Sequence, residues 1–441
     1  MKWRGFLLLT LIAAALPLTA AGPQDSGNKA LSLDECVAIA MQNHPDLAAA
    51  EAQVAQAREA VNIAHSNYLP QINMGSFYTR QTYNYAGQPG TPPHLWRLFY
   101  QGQNNSTSPY YYGGVNLNQT IYDFGRKKGV INRSTASLAA TEQDYKNVRM
   151  QVYYNVRAAY YTLLADSELK KVQEESLVSE KKHLDQAQAF YTVGRGAKID
   201  VTRQQVAVAN AQLALNQARE NMDVAHATLA TAMGIPIEKA PEIEDILAQV
   251  QPLPNRDQLL NEAIQNRPDL ESLRDQIAAA RANMQYAHSN LRPSFNFSSF
   301  YNFNNLTFPL VNNWSLAGLF AQNLFSGGAR HAELRMAQAA RQGAEAQRDS
   351  LFLQVRQQVY TAYSDLKLAT DQIDTSLTAD REAKENLELA EGRYRVGYGN
   401  IIELTDAQLL ATSAAGQVVT SRYQYQSAAA KLDLALGRAP K

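Results

Sequence analysis

Residues 191–202 read YTVGRGAKIDVT, and residues 394–405 read YRVGYGNIIELT. Both segments follow the pattern Tyr-x-Val-Gly-x-Gly-x-x-Ile-(Asp/Glu)-(Val/Leu)-Thr, and each separates two long stretches rich in alanine and glutamine. Two glycines two residues apart supply the backbone freedom that a sharp reversal needs. The acid then falls in the first turn of the following helix, where it meets the positive end of the helix dipole. The pattern predicts two equivalent tips of helical hairpins.

The rest of the chain repeats in step with these tips. Residues 43–47 (NHPDL) return as residues 266–270 (NRPDL), an offset of 223, whereas Gly234 returns as Gly437, an offset of 203. The difference places about 20 extra residues of the first copy between positions 79 and 115. One unit is therefore predicted to be duplicated in tandem. The first structural repeat is expected at 22–252 and the second at 253–441.

Each unit contains two segments in which apolar residues alternate with Asn, Ser, Gln and Thr. We expect strands at about 70–80 and 113–122 in the first repeat and at about 293–304 and 313–325 in the second. Strands of about ten residues, apolar on one face and uncharged polar on the other, match those of a transmembrane β-barrel. Alternation alone also fits a soluble hairpin with one buried face. The loop inserted in the first repeat is expected to be external.

Helical hairpins are expected at about 126–233 and 329–436. From Arg126 to Tyr191 the chain runs for 66 residues without proline, and a helix of that length spans roughly 100 Å. Such a helix belongs to a coiled coil. Apolar residues in the second hairpin step alternately by four and three, as a coiled-coil seam requires: Val355, Val359, Ala362, Leu366, Ala369 and Ile373. The same phase in the first hairpin is expected at Ala207, Ala211, Ala214, Ala218, Ala225 and Ala232.

The N-terminus has the features of a secretory signal peptide, expected at 1–21. Lys2 and Arg4 precede a short apolar run, and the cleavage position is expected after Ala20 or Ala21. No later stretch reaches the roughly 18 apolar residues of a membrane-spanning helix. Cys36 is the only cysteine, which excludes an intrachain disulfide, and its place inside a helical pattern indicates a packed thiol rather than a lipid anchor.

Several functional classes receive no support from the sequence. The 41 basic and 41 acidic residues cancel, and no basic stripe interleaved with aromatic residues indicates a nucleic-acid partner. The seven histidines are scattered, and the segment 194–198 lacks the spacing of a phosphate-binding loop. No serine, cysteine or carboxylate pair has a recognisable catalytic context. We therefore expect neither an enzyme nor a cofactor or metal site.

Taken together, the duplicated helix–strand–strand–helix unit, both NxPDL motifs and both glycine tips resemble the TolC-like outer-membrane efflux family (outer-membrane factors). The resemblance covers the whole mature chain. It implies an α+β membrane protein in which three identical chains build one 12-stranded β-barrel, continued by a long α-helical coiled-coil barrel. It places the barrel among outer-membrane lipid and the helical tunnel in the periplasm. It further implies a passive duct of a tripartite efflux or type I secretion system. A periplasmic adaptor (membrane fusion protein) and an inner-membrane pump or ABC exporter would open its periplasmic tip.

The resemblance also implies roles for residues of the two tips. Glu403 and Asp406 match the carboxylates that narrow the pore in this family, while Asp200 and Tyr394 match residues that link hairpins in the closed state. A basic residue common in that network is replaced here by Gly399, for which Arg195 or Arg395 is a possible substitute. The tip turns and the adaptor-docking surface are expected at Val193, Gly194, Gly196, Val396, Gly397 and Gly399.

Alternatives remain for individual residues and for the whole chain. Asp200 and Glu403 both occupy positions suited to helix capping, and Asn400 with Glu403 has the spacing of a capping box. Asp406 lies too deep in its helix to cap, and its counterpart in the first repeat is Arg203, which favours a pore-lining or gating role over the alternative of a solvated surface charge. A periplasmic coiled-coil adaptor or scaffold is the alternative function. An adaptor, however, would carry a lipoyl-like β-domain around one hairpin, not two hairpins.

Overall fold

A computed structural model describes residues 30–82, 107–244 and 250–438. The expected signal peptide and most of the inserted loop of the first repeat lie outside these ranges. The first repeat contains α1 (Leu33–Asn43), α2 (Pro45–Ser66), β1 (Gln71–Thr82), β2 (Thr107–Tyr122), α3 (Arg126–Thr192) and α4 (Lys198–Met233). The second contains α5 (Arg256–Asn266), α6 (Pro268–Ser289), β3 (Ser294–Asn305), β4 (Val311–Ala321), α7 (Ala329–Val396) and α8 (Ile401–Leu436).

Prolines and capping residues set the boundaries of the short helices. Pro45 opens α2 and Pro268 opens α6 at the first helical turn, where a missing N–H costs nothing. Ser32 caps α1: its hydroxyl accepts the Glu35 N–H at 3.3 Å, and the Glu35 carboxylate accepts the Ser32 N–H at 2.8 Å. The NxPDL motif therefore marks a break between two helices in each repeat.

The four strands form one antiparallel sheet in the order β1-β2-β3-β4. β2 begins at Thr107, earlier than the alternation indicated, because it pairs with β1 as far as Thr82. β4 ends at Ala321, before the expected position 325. Ala321 pairs with Ser294, and Pro293 beyond it has no N–H with which to extend the ladder.

The register sorts the side chains of the sheet onto two chemically different faces. We call one the apolar face, and its members include Ile72, Met74, Tyr78, Val115, Leu117, Tyr301, Phe303, Trp314 and Leu316, with Ser76 and Ser299 among them. We call the other the polar face, and its members include Gln71, Asn73, Asn116, Asn118, Asn296, Ser298, Asn302, Asn313 and Ser315, with Phe77, Phe300 and Leu319 among them. Met74 is 84% exposed and Trp314 70% exposed. The apolar face of the sheet is therefore uncovered in the single chain.

The long helices pair as two hairpins with continuous seams. All six apolar residues expected in the seam of α7 are buried, and they pack against Tyr425, Ala428, Leu432 and Ala435 of α8. In α4 the expected alanine stripe is only partly correct. Ala211 and Ala225 are buried, but the other four alanines are half-buried, and the seam centre includes Gln204, Leu215 and Leu229. Leucine takes the centre because a larger apolar side chain gains more from burial.

The duplication is visible in individual contacts. Gln119 Nε2 donates to the carbonyl oxygens of Tyr68 and Thr120, and Gln322 Nε2 donates to those of the equivalent residues, Leu291 and Asn323. Through these hydrogen bonds, each glutamine connects the end of a strand with the end of a helix. Gly234 and Gly437 end α4 and α8 with positive φ angles. A Cβ on either would lie within 3 Å of another segment's backbone, at His44 or at Arg267.

The main apolar core surrounds Tyr160 of α3, where α1, α3 and α4 meet. The buried Tyr160 hydroxyl lies 2.7 Å from the carbonyl oxygen of Glu244 and 3.2 Å from that of Leu31. The Tyr160 hydroxyl therefore connects both the N-terminal segment and the segment between the repeats to α3. Cys36 of α1 is fully buried beside it, and burial raises the pKa of this thiol to about 11. A thiol in this state is unreactive, as expected for a packing residue.

The described helices include none whose length and apolar character would suffice to cross a membrane.

Candidate gate at the hairpin tips

The two tip turns have the same hydrogen bonds. In the first, the N–H groups of Arg195 and Gly196 both donate to the carbonyl oxygen of Phe190, at 2.9 and 3.0 Å. In the second, those of Tyr398 and Gly399 donate to the carbonyl oxygen of Arg393 at the same two distances. Such bonds close the end of a helix by satisfying carbonyl groups that lack an intrahelical partner.

Glycine is needed at the four turn positions for two different structural reasons. Gly194 and Gly397 adopt left-handed conformations, with φ of 73° and 89°, which side chains disfavour. Gly196 and Gly399 are required by space instead. A Cβ on Gly399 would lie 3.0 Å from the backbone nitrogen of Tyr394, and one on Gly196 would lie 3.2 Å from that of Tyr191. A basic side chain at position 399 would thus force this turn to shift.

Tyr394 joins the two tips through an apolar contact. Its side chain is buried, and its ring centroid lies 5.5 Å from that of Phe190 in the first hairpin. Ile401 and Leu404 complete the cluster from α8. Burial, and secondarily the negative charge of Asp200, raise the pKa of the Tyr394 hydroxyl. The structure therefore brings Asp200 and Tyr394, both singled out from the sequence, into one electrostatic environment.

Asp200 also caps its helix. Its Oδ2 accepts the Ala197 N–H at 3.4 Å, which satisfies one of the free N–H groups at the start of α4. The capping interpretation of this residue and its place beside Tyr394 are compatible, because a carboxylate accepts hydrogen bonds through two oxygens.

Arg195 of the first tip lies against the second tip. Its guanidinium is 5.7 Å from the ring centroid of Phe190, and its Nη2 lies 3.3 Å from the position that a Cβ would take at Gly397. Arg395, the other basic residue considered from the sequence, is exposed. Of the two, Arg195 is the one that bridges the hairpins.

The two carboxylates expected at the constriction differ in their surroundings. The Glu403 N–H donates to Asn400 Oδ1 at 2.8 Å, which is half of a capping box. Its carboxylate turns instead to Arg393, with an Oε1–Nε distance of 3.2 Å. Asp406 is exposed and has no hydrogen bond or ion pair within the described ranges. The charge of Glu403 is therefore balanced locally, whereas that of Asp406 is not.

The apolar residues of the turns project outward. Val193 is 68% exposed, Val396 59% and Tyr398 85%, at the point where each hairpin reverses. Exposed apolar residues grouped at one end of a long element are typical of an interaction site.

A row of polar contacts between the hairpins was missed from the sequence. The Ser179 hydroxyl donates to Gln408 Oε1 at 2.7 Å, and the Thr412 hydroxyl donates to that of Ser176 at 3.1 Å. Nearer the tip, Gln204 Nε2 donates to the Thr405 hydroxyl at 3.0 Å. In the sequence, such a contact is indicated by a polar residue at a position of the apolar seam. Gln204 is an example, and it is fully buried.

His183 belongs to the same row. Its Nε2 lies 3.1 Å from Glu391 Oε1, so the pair connects α3 with α7. Burial lowers the pKa of His183, although Glu391 opposes this effect. The structure therefore places this histidine in an interhelical contact. In the part of the chain that is described, no three His, Cys, Asp or Glu side chains are arranged to hold a metal ion.

Comparisons with known proteins extend over nearly the whole chain. The family model described as outer membrane efflux protein matches residues 37–235 and 259–438. OpmQ of Pseudomonas putida, a pyoverdine export outer membrane protein, is 25% identical over 421 residues, covering 91% of this chain and 82% of OpmQ. Outer membrane protein TolC of Escherichia coli is 22% identical over 413 residues, covering 90% of this chain and 80% of TolC.

A solved structure shows the same fold. The CmeC outer membrane channel of Campylobacter jejuni superposes with a TM-score of 0.82 at 18% identity, covering 98% of this chain and 94% of that one. The paired repeats, the four-stranded sheet and the long hairpins are thus elements of the fold that CmeC also adopts.

Proposed function

The chain belongs to the outer membrane efflux protein family, and on that premise we propose that three copies form one passive duct from the periplasm through the outer membrane. A periplasmic adaptor and an inner-membrane pump or ABC exporter would load it, in a tripartite efflux or type I secretion system. The family consists of channels, and we propose no catalytic activity.

The observation that carries this proposal is the four-stranded sheet. Its outer strands, β1 and β4, each have one edge without a partner strand among the described residues. Unpaired edges and an uncovered apolar face are unfavourable in water. Both are resolved if β4 of one copy pairs with β1 of the next and lipid covers the apolar face. Three copies then give a closed barrel of 12 strands, with the polar face inside.

The helices supply the rest of the duct. α3 has 67 residues and α7 has 68, and each spans roughly 100 Å. Continuing from the strands, they would form a tunnel deep into the periplasm. The apolar residues exposed on their outer sides would pack against the neighbouring copies. The alternative of a periplasmic adaptor or scaffold gains no support, because that function explains neither the sheet nor the second hairpin.

The tips would form the gate and the docking surface. Asp406, with Glu403, would place a ring of carboxylates at the constriction, and Tyr394 with Asp200 would hold adjacent hairpins together in the closed state. The turn residues Val193, Gly194, Gly196, Val396, Gly397 and Gly399 would meet the adaptor.

A direct test of the proposal combines membrane fractionation with electrical recording. We expect the mature protein in the outer-membrane fraction, a chemically crosslinked species of three chains, and ion channels when the purified protein is added to planar bilayers. Release with the soluble periplasm without detergent, or the absence of channels from a crosslinked trimer, would contradict the duct.

Docking at the tips has its own test. A photo-crosslinking residue at Thr192 or Tyr398, both exposed, is expected to capture the adaptor in living cells. The same residue at Met74, on the apolar face of the sheet, serves as the control. Capture of the adaptor from position 74 and not from either tip would refute the assignment of the docking surface.

A further inference from the structure

The junction between the sheet and the helices contains a cavity of about 580 Å³ on the polar side of the sheet. Gln71, Asn118, Asn296 and Ser298 of the polar face contribute to its wall. Two cations, Arg126 and Lys127, line it where α3 begins. The lining therefore combines hydrogen-bonding side chains of the sheet and two cations with apolar groups such as Leu69, Phe297 and Leu319.

The two cations lack an acidic partner in the described structure. The Lys127 ammonium donates to the carbonyl oxygen of Thr120 and lies 5.1 Å from the ring centroid of Tyr68, and neither group is an anion. Arg126 Nε is buried without a hydrogen-bond partner. A buried donor without a partner is unfavourable, so an incoming acceptor would be stabilised there.

The acidic residue in the lining of the cavity, Asp123, already accepts hydrogen bonds. Asp123 accepts the Gly125 N–H at Oδ1, at 3.2 Å, and the Lys127 N–H at Oδ2, at 3.0 Å. Asp123 therefore serves the backbone of the turn. With one carboxylate against two cations, the lining of the cavity has a net positive charge.

The second repeat does not reproduce this arrangement. Ser326 stands in place of Asp123, Ala329 in place of Arg126, and Arg330 in place of Lys127. Arg330 Nη1 donates to the carbonyl oxygen of Asn290, as the Lys127 ammonium does to that of Thr120, so both repeats have a backbone-bound cation at this position. A cation that the scaffold required would be expected in both copies, and Arg126 occurs in only one.

We propose that Arg126 and Lys127 form a binding site for oxyanions, the carboxylate or phosphate groups of exported cargo, on the inner wall of the duct. This inference rests on the proposed function, which places the polar face inside. Arginine suits the task because its planar guanidinium can donate two parallel hydrogen bonds to one carboxylate or phosphate. Three copies carry three sites at one level, between the barrel and the helical tunnel.

Pyrophosphate binding tests the site without a channel measurement. Isothermal titration of the detergent-solubilised protein with inorganic pyrophosphate is expected to show saturable binding that Arg126→Gln weakens roughly tenfold or more, as loss of a hydrogen bond to a charged group does. Lys128→Gln is the matched control, since Lys128 is the exposed neighbour of Lys127 and does not line the cavity. Absence of saturable binding by the unaltered protein, or equal binding by Arg126→Gln, would overturn the proposal.

Reversal potentials in planar bilayers separate this proposal from the proposed function. At about 0.1 M salt, where charges act over roughly 10 Å, Arg126→Gln is expected to make the channel more cation-selective than Lys128→Gln does, because Lys128 does not line the cavity. If Arg126→Gln and the unaltered protein form channels of equal selectivity, the oxyanion site is contradicted and the proposed duct is not. If no variant forms channels but Arg126→Gln loses pyrophosphate binding, the duct is refuted and the oxyanion site stands. Matching thermal unfolding midpoints verify that all variants are folded.

Discussion

At the scale of single residues, the two repeats agree where the fold requires a particular residue and differ at Asp406. Positions that must be alike for the fold, such as Gly397 and Gly194, are alike in both copies. Asp406 differs in sign from its counterpart Arg203, and it has no partner in the described chain that would neutralise it. An unpaired charge that the scaffold does not need is consistent with the proposed place of Asp406 at the constriction.

Asp406→Asn is therefore expected to reduce the cation preference of the channel, because the variant removes three charges from the proposed constriction while keeping the side-chain volume. Glu403→Ala with Asp406→Ala should in addition raise single-channel conductance, since both side chains are shortened. The measurement is conductance and reversal potential in planar bilayers at low salt. Asp223→Asn, which removes an exposed acid of α4 far from the tip, is the control. Unchanged selectivity in both tip variants would contradict the constriction.

At the scale of elements, polar residues in the seams determine how firmly the helices hold together. Glu180 of α3 is 7% exposed and lies one turn beyond Leu177, which packs against Ala211 and Leu215 of α4. Its Oε2 is buried without a hydrogen-bond partner. Burial raises the pKa of the Glu180 carboxyl, so between its ordinary pKa and the raised one the folded chain binds this proton more strongly than the unfolded chain does.

This difference in proton binding predicts a direction for stability against pH. As pH rises through the window from the ordinary pKa of glutamate to the raised one, Glu180 makes folding less favourable. Glu180→Gln is expected to stabilise the protein at pH 7 by about 1–3 kcal/mol, and to have little effect near pH 4. Thermal unfolding followed by circular dichroism measures both. Glu175→Gln, an exposed position on the same helix, should change neither midpoint. A lower midpoint for Glu180→Gln at pH 7 would refute this account.

At the scale of the whole molecule, the two faces of the sheet decide how copies of the chain meet one another and the lipid. Met74 belongs to the apolar face and its neighbour Asn73 to the polar face. One step along β1 therefore crosses from the proposed lipid side to the proposed water-filled side.

Met74→Arg is expected to reduce the yield of trimer in the outer membrane, because arginine on the lipid side of a barrel costs about 2–4 kcal/mol at mid-depth. Asn73→Arg adds the same side chain one residue earlier and should assemble normally. The measurement is the crosslinked trimer recovered from outer-membrane fractions. Equal assembly of the two variants would contradict the assignment of the faces. Failure of Asn73→Arg alone would reverse it.

Much of the architecture follows from local patterns in the chain. The absence of proline after Arg126 and the steps of four and three from Val355 indicate the long hairpins and one of their seams, because a helical periodicity is a local property. Alternation of period two likewise separates the apolar from the polar face of the sheet. The α4 seam shows the limit of such patterns, since Ala207 and Ala211 both fit a seam of small residues and only the packing of α3 distinguishes them.

The contacts between the hairpins depend instead on the folded chain. Phe190 meets Tyr394, and His183 meets Glu391, across more than 200 residues of sequence. A heptad pattern permits several alignments of one helix against another, so no local signal selects these partners. The same holds for Arg126, whose place beside side chains of the sheet is not indicated by any local pattern. The need for glycine at 399 is local by comparison, because the groups nearest its Cβ position belong to Arg393 and Tyr394 of the same turn. The repeated glycine turns thus establish from sequence alone that the chain reverses twice. Which residues of the two hairpins contact each other at those turns is determined only by the packing of one tip against the other.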